Sequence, residues 1–196
     1  MAYEMKPLGC DPKKLKGLSE RLMVSHYENN YGGAVKRLNA ITVQLAALDF
    51  ATAPVFVING LKREELIATN SMILHELYFD GLGADGEPDR GLREILGRDF
   101  GSVDKWRAEF VAMGKAMGGG SGWVLLTYSH RDRKLVNQWA ADHTHSMAGA
   151  TPILALDMYE HSYHIDYGAA AAKYVDAFMD NVNWTNVVRL HQAHAR

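Results

Sequence analysis

The stretch Thr151–Gly168, TPILALDMYEHSYHIDYG, constrains this chain more than any other. It opens as an apolar run after a proline, the pattern of a buried strand through Ile153, Leu154 and Leu156. The run then delivers a carboxylate, Asp157, and a histidine four residues on, His161. A carboxylate at the end of a buried strand needs a partner, because an isolated buried charge costs too much to keep. A divalent or trivalent metal is one such partner. Asp-x-x-x-His can put an oxygen and an imidazole on the same side of one turn. The competing assignment is a helix-capping Asp beside a core His.

The rest of the chain is that of a globular protein able to bury such a site. Its 196 residues suit one large domain or two small ones, and 47% apolar with 22% charged residues is ordinary for the class. A net charge of −2 gives no electrostatic case for nucleic acid as a partner. Lys13, Lys14 and Lys16 read as a solvated face. The single cysteine, Cys10, excludes an internal disulfide framework and fits a reducing compartment. No apolar run reaches the length of a membrane span, and the opening MAYEMKPLGCDPKK lacks the apolar core of a signal peptide. The expectation is cytoplasmic.

Taken in order, residues 1–17 read as an extended lead-in. A helix starts at Ser19 and carries an apolar stripe (Met23, Tyr27, Ala34, Leu38, Ile41, Leu45) to about residue 50, with a kink at Gly32-Gly33. Residues 53–60 read as a connector. A second helix follows over 63–79 with Leu66, Ile67, Asn70, Ile73, Leu74 and Leu77 in its stripe, and His75 shares a face with Ala68, Ser71 and Tyr78. DGLGADGEPDR, residues 80–90, is the candidate interdomain linker, dividing an N-terminal helical hairpin, 1–82, from a C-terminal domain, 88–196. Two helices follow, over 92–96 and from Ser102 onward, and then strands over 123–128, 134–140 and 151–156. Helices over 169–180 and 184–194 close the chain. The fold class is α+β: a helical hairpin, then a small three-stranded sheet wrapped in helices.

Of nine histidines, His130, His191 and His194 fall at a turn or near the C-terminus and are expected to be exposed. His26 and His75 lie mid-helix at inward-looking positions. Such a histidine is commonly a hydrogen-bonded core residue, but with Asp157 and His161 these two would make three imidazoles and one carboxylate. That donor set suits a mononuclear iron or manganese ion better than a structural zinc, since it offers no sulfur.

The chain also resembles the iron/manganese superoxide dismutase family over nearly its whole length. LSERLMVSHYENNYGGAVKRLN and SMILHELYF resemble the family's first two helices, with ligand histidines at His26 and His75. GGGSGWVLL is similar to its Gly-Ser-Gly-Trp strand, and LDMYEHSYHIDYG to its Asp-x-Trp-Glu-His signature. The resemblance implies an antiparallel three-stranded sheet and one Fe or Mn ion per chain on His26, His75, Asp157 and His161. It also places Trp123 beside the ion and implies disproportionation of superoxide. A homodimer is implied too, in which Glu160 reaches the partner's ligand histidine and His164 takes the place of a neighbouring aromatic.

The departures lie around the ligands. Asn30 and Ala34 stand where the family has a His and a Tyr lining the substrate funnel; Tyr159 replaces the signature Trp, and Phe79 another Trp. The Gln that hydrogen-bonds solvent on the metal is absent. In Ala141-Asp142-His143-Thr144-His145, His143 is the stand-in and His145 the runner-up, a substitution that tilts the metal toward iron. Tyr31, three residues before Ala34, is the candidate for the missing phenol, with Tyr163 the other; core packing is the competing role for Tyr31. Two alternatives use the same site. One is a dismutase-fold metal protein that has lost efficient turnover through Asn30 and Ala34. The other is a different non-haem iron or manganese oxidoreductase, with an organic substrate in space opened by Gly33 and Ala34.

Overall fold

Ser19 Oγ accepts a hydrogen bond from Leu22 N at 3.1 Å and so starts α1, Glu20–Ser25. A computed structural model describes residues 2–83 and 86–195. α1 runs through a wide π-helical turn, His26–Tyr31, directly into α2, Gly32–Ala46. The break in regularity thus precedes the glycine pair expected to cause it. In that turn the Gly32 amide donates to Tyr27 O, one residue further back than in an α-helix. The extra residue turns both His26 and Tyr31 into the core.

α3, Val55–Asp80, begins earlier than expected. Residues 53–60 looked like a connector because of Pro54 and Asn59-Gly60, but Pro54 sits at the helix start, where its missing N–H costs nothing. Its 26 residues span about 39 Å. The buried face is the one carrying Ala68, Ser71, Met72, His75, Tyr78 and Phe79. Leu66 and Ile73, placed in the apolar stripe from the sequence, are exposed instead, because α2 and the sheet both meet the helix on its His75 side.

Residues 80–90 end α3 and lead to α4, Arg90–Phe100, which Asp89 caps by accepting from Leu92 N at 2.7 Å. Within that stretch, residues 84 and 85 lie outside the described residues. α5, Val103–Ala116, is capped by Ser102 as its sequence suggested. The strands β1 (Trp123–Ser129), β2 (Lys134–Ala140) and β3 (Ala150–Asp157) form one antiparallel sheet in the order β2-β1-β3. The central strand β1 is buried along its whole length. After β3 come a 3₁₀ turn (Glu160–Ser162) and a short helix, α6 (His164–Tyr167). The chain closes with α7 (Ala171–Met179) and α8 (Trp184–His194). The α+β expectation therefore holds.

Two contacts tie the ends together. Buried Asn181, between α7 and α8, accepts from Lys16 N at 2.8 Å and donates to Lys16 O at 2.7 Å, fixing the N-terminal lead-in. Leu82 pairs with Val182 as an isolated antiparallel bridge. His191 is half-buried rather than exposed, its ring edge-on to Tyr128 at 5.7 Å, because α8 packs against β3 beside the end of β1. His194 is likewise half-buried.

Candidate metal centre

The sheet register builds the floor of the site. Trp123 opens β1 and pairs with Asp157 at the end of β3 on one side and Ala140 at the end of β2 on the other. Gly122, just before it, has φ +127° and lies so close to Ala140 O that a Cβ would sit 2.1 Å from it. Only glycine lets the chain pass there. Its carbonyl accepts from Met158 N at 2.9 Å, locking the residue after Asp157.

Asp157 is fully buried, and its two oxygens have different roles. Oδ1 accepts from Tyr159 N at 2.8 Å, which turns the chain toward the 3₁₀ segment and brings His161 back over the carboxylate. Oδ2 faces three imidazoles. It lies 3.2 Å from His26 Nε2, 3.2 Å from His161 Nε2 and 3.6 Å from His75 Nε2. One ligand atom from each of these four residues falls within 4.8 Å of all the others. His26 comes from the π-helical turn, His75 from α3, Asp157 and His161 from β3 and the turn after it.

The histidine chemistry suits an ion. His75 Nδ1 donates to Ser71 O at 2.6 Å, which fixes the tautomer and leaves Nε2 a lone pair facing the cluster. That Nε2, and both ring nitrogens of His26, are buried with no hydrogen-bond partner; His26 Nε2 is near Asp157 but not aligned for a bond. Orphaned buried nitrogens are costly, and a metal would satisfy the Nε2 pair. Burial pushes His26 below the ordinary histidine range, against the pull of Asp157. Burial, and then the neighbouring His26, push His75 down to about 3. Both are therefore neutral, the form that ligates. Although burial opposes its charge, His161 and His26 hold the Asp157 carboxyl far below the usual carboxylate range. The donor set is three neutral nitrogens and one anionic oxygen, which fits iron or manganese.

Around the cluster, Trp123 Nε1 donates to His143 Nδ1 at 3.1 Å, and the His143 ring centre lies 6.1 Å from that of His75. His145 sits elsewhere, exposed, bound to Asp142 Oδ1 at 3.0 Å and beside Trp139. Three residues that the sequence marks only by position acquire their roles here. Tyr159 is sandwiched, stacking on His143 at 4.8 Å and on His161 at 5.4 Å. Ser71 orients His75 through its carbonyl, a main-chain role that composition cannot signal. Asn70 Nδ2 donates to His143 O at 2.6 Å, pinning the β2–β3 connection to α3. The i−4 spacing of Ser71 before His75 and the alternation in Tyr159-Glu160-His161 were the available hints.

Tyr31 is buried with its ring stacked 6.5 Å from His75, but its hydroxyl points to the N-terminal segment. It accepts from Lys6 N at 2.8 Å and donates to Glu76 Oε1 at 3.0 Å. Tyr163 packs on Tyr174 at 5.4 Å in the core. Neither phenol lines the cavity beside Ala34, because each hydroxyl or ring is engaged elsewhere. That cavity, about 330 Å³, runs from Asn30, Gly33 and Ala34 past Arg37 to Ser71 and His143. None of the four clustered residues lines it, and none lines the clefts of about 550 and 670 Å³ elsewhere on the surface. Glu160 and His164 are exposed, and the His161 side chain remains 26% exposed.

Comparison with known proteins agrees with this geometry. Residues 88–190 match the family model for iron/manganese superoxide dismutases, C-terminal domain. The chain is 71% identical over 196 residues, all of both chains, to superoxide dismutase [Fe] of Cupriavidus metallidurans. It is 34% identical over 192 residues to superoxide dismutase [Mn] 2 of Haloferax volcanii, covering 94% of this chain and 92% of that one. The superoxide dismutase [Fe] of Aquifex pyrophilus is 34% identical over 181 residues, covering 88% and 84%. The chain belongs to the iron/manganese superoxide dismutase family.

Proposed function

We propose that this protein is a superoxide dismutase with one ion, iron in preference to manganese, held by His26, His75, Asp157 and His161. The observation that carries the reading is the convergence of three imidazole Nε2 atoms on Asp157 Oδ2, two of them buried without any other partner. A bound iron or manganese ion supplies one-electron chemistry, by which two superoxide anions and two protons become dioxygen and hydrogen peroxide. Asp157 contributes the one anionic oxygen, so the loaded site keeps a positive charge that attracts an anion. His75, oriented by Ser71, and His26, set by the π-helical turn, keep neutral nitrogens in place. His143, Trp123 and Tyr159 close the site around His161 and His75. The iron preference rests on the 71% identical relative, which is named for iron, and on His143.

The reading extends to organisation. Residues 1–82 and 88–196 are taken as two domains, each giving two of the four ligands, and the family match beginning at 88 supports that boundary. A homodimer is supported by exposed Glu160 and His164 beside half-exposed His161. No helix among the described residues is long and apolar enough to cross a membrane, and the free Cys10 favours a cytoplasmic setting.

Elemental analysis of the purified protein with a superoxide-consumption assay tests the reading. One iron or manganese per chain with rapid consumption is expected. Stoichiometric metal with no consumption would overturn the activity, and the absence of metal would overturn the site.

A further inference from the structure

The cavity beside Ala34 has a chemistry of its own. Apart from Gly33, Ala34, Ile67 and Ala68, its lining residues all carry hydrogen-bonding side chains: Asn29, Asn30, Arg37, Ser71 and His143. Among the described residues that line it, Arg37 carries the only formal charge. At about 330 Å³ the space would hold on the order of ten waters by liquid volume, far more than a diatomic anion needs. It ends at Ser71, whose carbonyl holds His75, and at His143, whose ring neighbours His75. An anion leaving solvent for the cluster by this route meets one cation on the way.

We propose that Arg37 is an anion-capturing positioning residue for the reaction, a guanidinium at the cavity mouth whose strength is set by its pairing with Glu64. Arg37 lies on α2 and its side chain is 57% exposed, so its charge faces both solvent and cavity. Its Nη2 pairs with Glu64 Oε2 on α3. Arg63 Nη1 lies 3.6 Å from the other oxygen of the same carboxylate. Two guanidiniums share one carboxylate, and the group keeps a net charge of +1 beside the mouth. Charge at a concave mouth raises the local concentration of an oppositely charged substrate and its on-rate, and salt screens the effect. Glu64 does not line the cavity, so it touches no anion there and acts by restraining Arg37 and offsetting its charge. Removing Arg37 and removing Glu64 must therefore act in opposite directions. A purely structural ion pair would make both variants worse.

The inference rests on the dismutase reading for its substrate, and the experiment separates the two. kcat/KM for superoxide is measured for the metal-loaded wild type, Arg37→Gln, Arg37→Lys and Glu64→Gln at about 10 mM and about 200 mM salt. Azide affinity of the same proteins is measured by optical titration. Arg37→Gln should lower kcat/KM about two- to fivefold at low salt, flatten its salt dependence and leave kcat unchanged, with azide binding weakened in parallel. Arg37→Lys should restore most of both, and Glu64→Gln should raise both. Equal losses in Arg37→Gln and Glu64→Gln, or an unchanged salt slope in Arg37→Gln, would overturn the proposal. If Arg37→Gln did not fold, Glu64→Gln and Arg37→Lys would still decide by sign. A wild type that consumed no superoxide would refute the functional reading, while the azide titrations would still judge Arg37.

Discussion

Trp123 Nε1 donates a hydrogen bond to His143 Nδ1 at 3.1 Å, and that one bond fixes the tautomer of the histidine. An indole nitrogen can only donate, so Nδ1 must be the acceptor and the ring proton must sit on Nε2. Burial holds His143 below the ordinary histidine range, so the ring is neutral and presents one defined donor to the cavity. A fixed donor near a redox ion changes the relative stability of its two charge states. His143→Ala should keep the metal, shift the reduction potential and lower turnover about ten- to a hundredfold. Trp123→Phe should move both in the same direction by less. Loss of turnover in His145→Ala with none in His143→Ala would place the donor two residues further on.

Asp157→Asn tests the anionic oxygen with almost no change in shape. The carboxylate is fully buried and held ionised by its imidazole neighbours, while the amide has no charge to balance an ion. Protein purified without added metal should hold at most about a tenth of the wild-type content, and His75→Ala should behave alike. Full metal in both variants would mean that the ion, if any, sits elsewhere.

How far the sequence reached can be judged residue by residue. The strands, the cap at Ser19 and the facing of His26 and His75 were legible because each rests on local periodicity or a capping side chain. The start of α3 was not, because Pro54 and Asn59-Gly60 carry the same letters whether they break a helix or, as here, open one and lie within it. Nor was the outward turn of Leu66 and Ile73, which depends on where α2 and the sheet meet α3. The roles of Ser71 and Asn70 rest on main-chain carbonyls brought together by the fold. Tyr159 was visible as a departure from a signature, but its stacking between His143 and His161 required the three-dimensional positions of both rings.

Tyr31 gives a pH signature. Burial pushes its phenol up to about 12, against the Lys6 N–H that favours ionisation. A group with a raised pKa contributes stability fully present below its unfolded value of about 10, and loses it as pH rises through the folded value. Tyr31→Phe leaves the Lys6 amide and Glu76 without this partner, at a cost of about 1–3 kcal/mol near neutrality. The gap in Tm between wild type and Tyr31→Phe should therefore narrow between about pH 10 and 12. A gap that stays constant across that window would show that the hydroxyl is not the buried neutral group described.

Glu160 carries the prediction about assembly. It is exposed next to His161, whose ring is still partly open to solvent. In a two-fold dimer the same patch meets itself, and a carboxylate from one protomer can orient a histidine of the other. Light scattering should give a dimer for the wild type, and Glu160→Ala should weaken both the dimer and the retention of metal. A monomer with its full metal complement would refute the coupling.

Ala34 is where the cavity can be rebuilt. Tyr31 does not occupy the space, since its hydroxyl is held by Lys6 and Glu76, and Tyr163 packs against Tyr174. Ala34 is buried and lines the cavity, so a larger side chain there has to fill that space. Ala34→Tyr should fold with a modestly lowered Tm, because the ring must fill the cavity from a position in the buried core. Peroxide formation consumes two protons, and a phenol in the cavity can order the water that delivers them. At saturating superoxide, Ala34→Tyr should turn over faster and Tyr31→Phe should match the wild type. The reverse result, slow Tyr31→Phe with no gain from Ala34→Tyr, would mean that Tyr31 serves the site through His75 despite the direction of its hydroxyl. Stopped-flow consumption of superoxide across pH, with both variants at equal metal content, separates these outcomes.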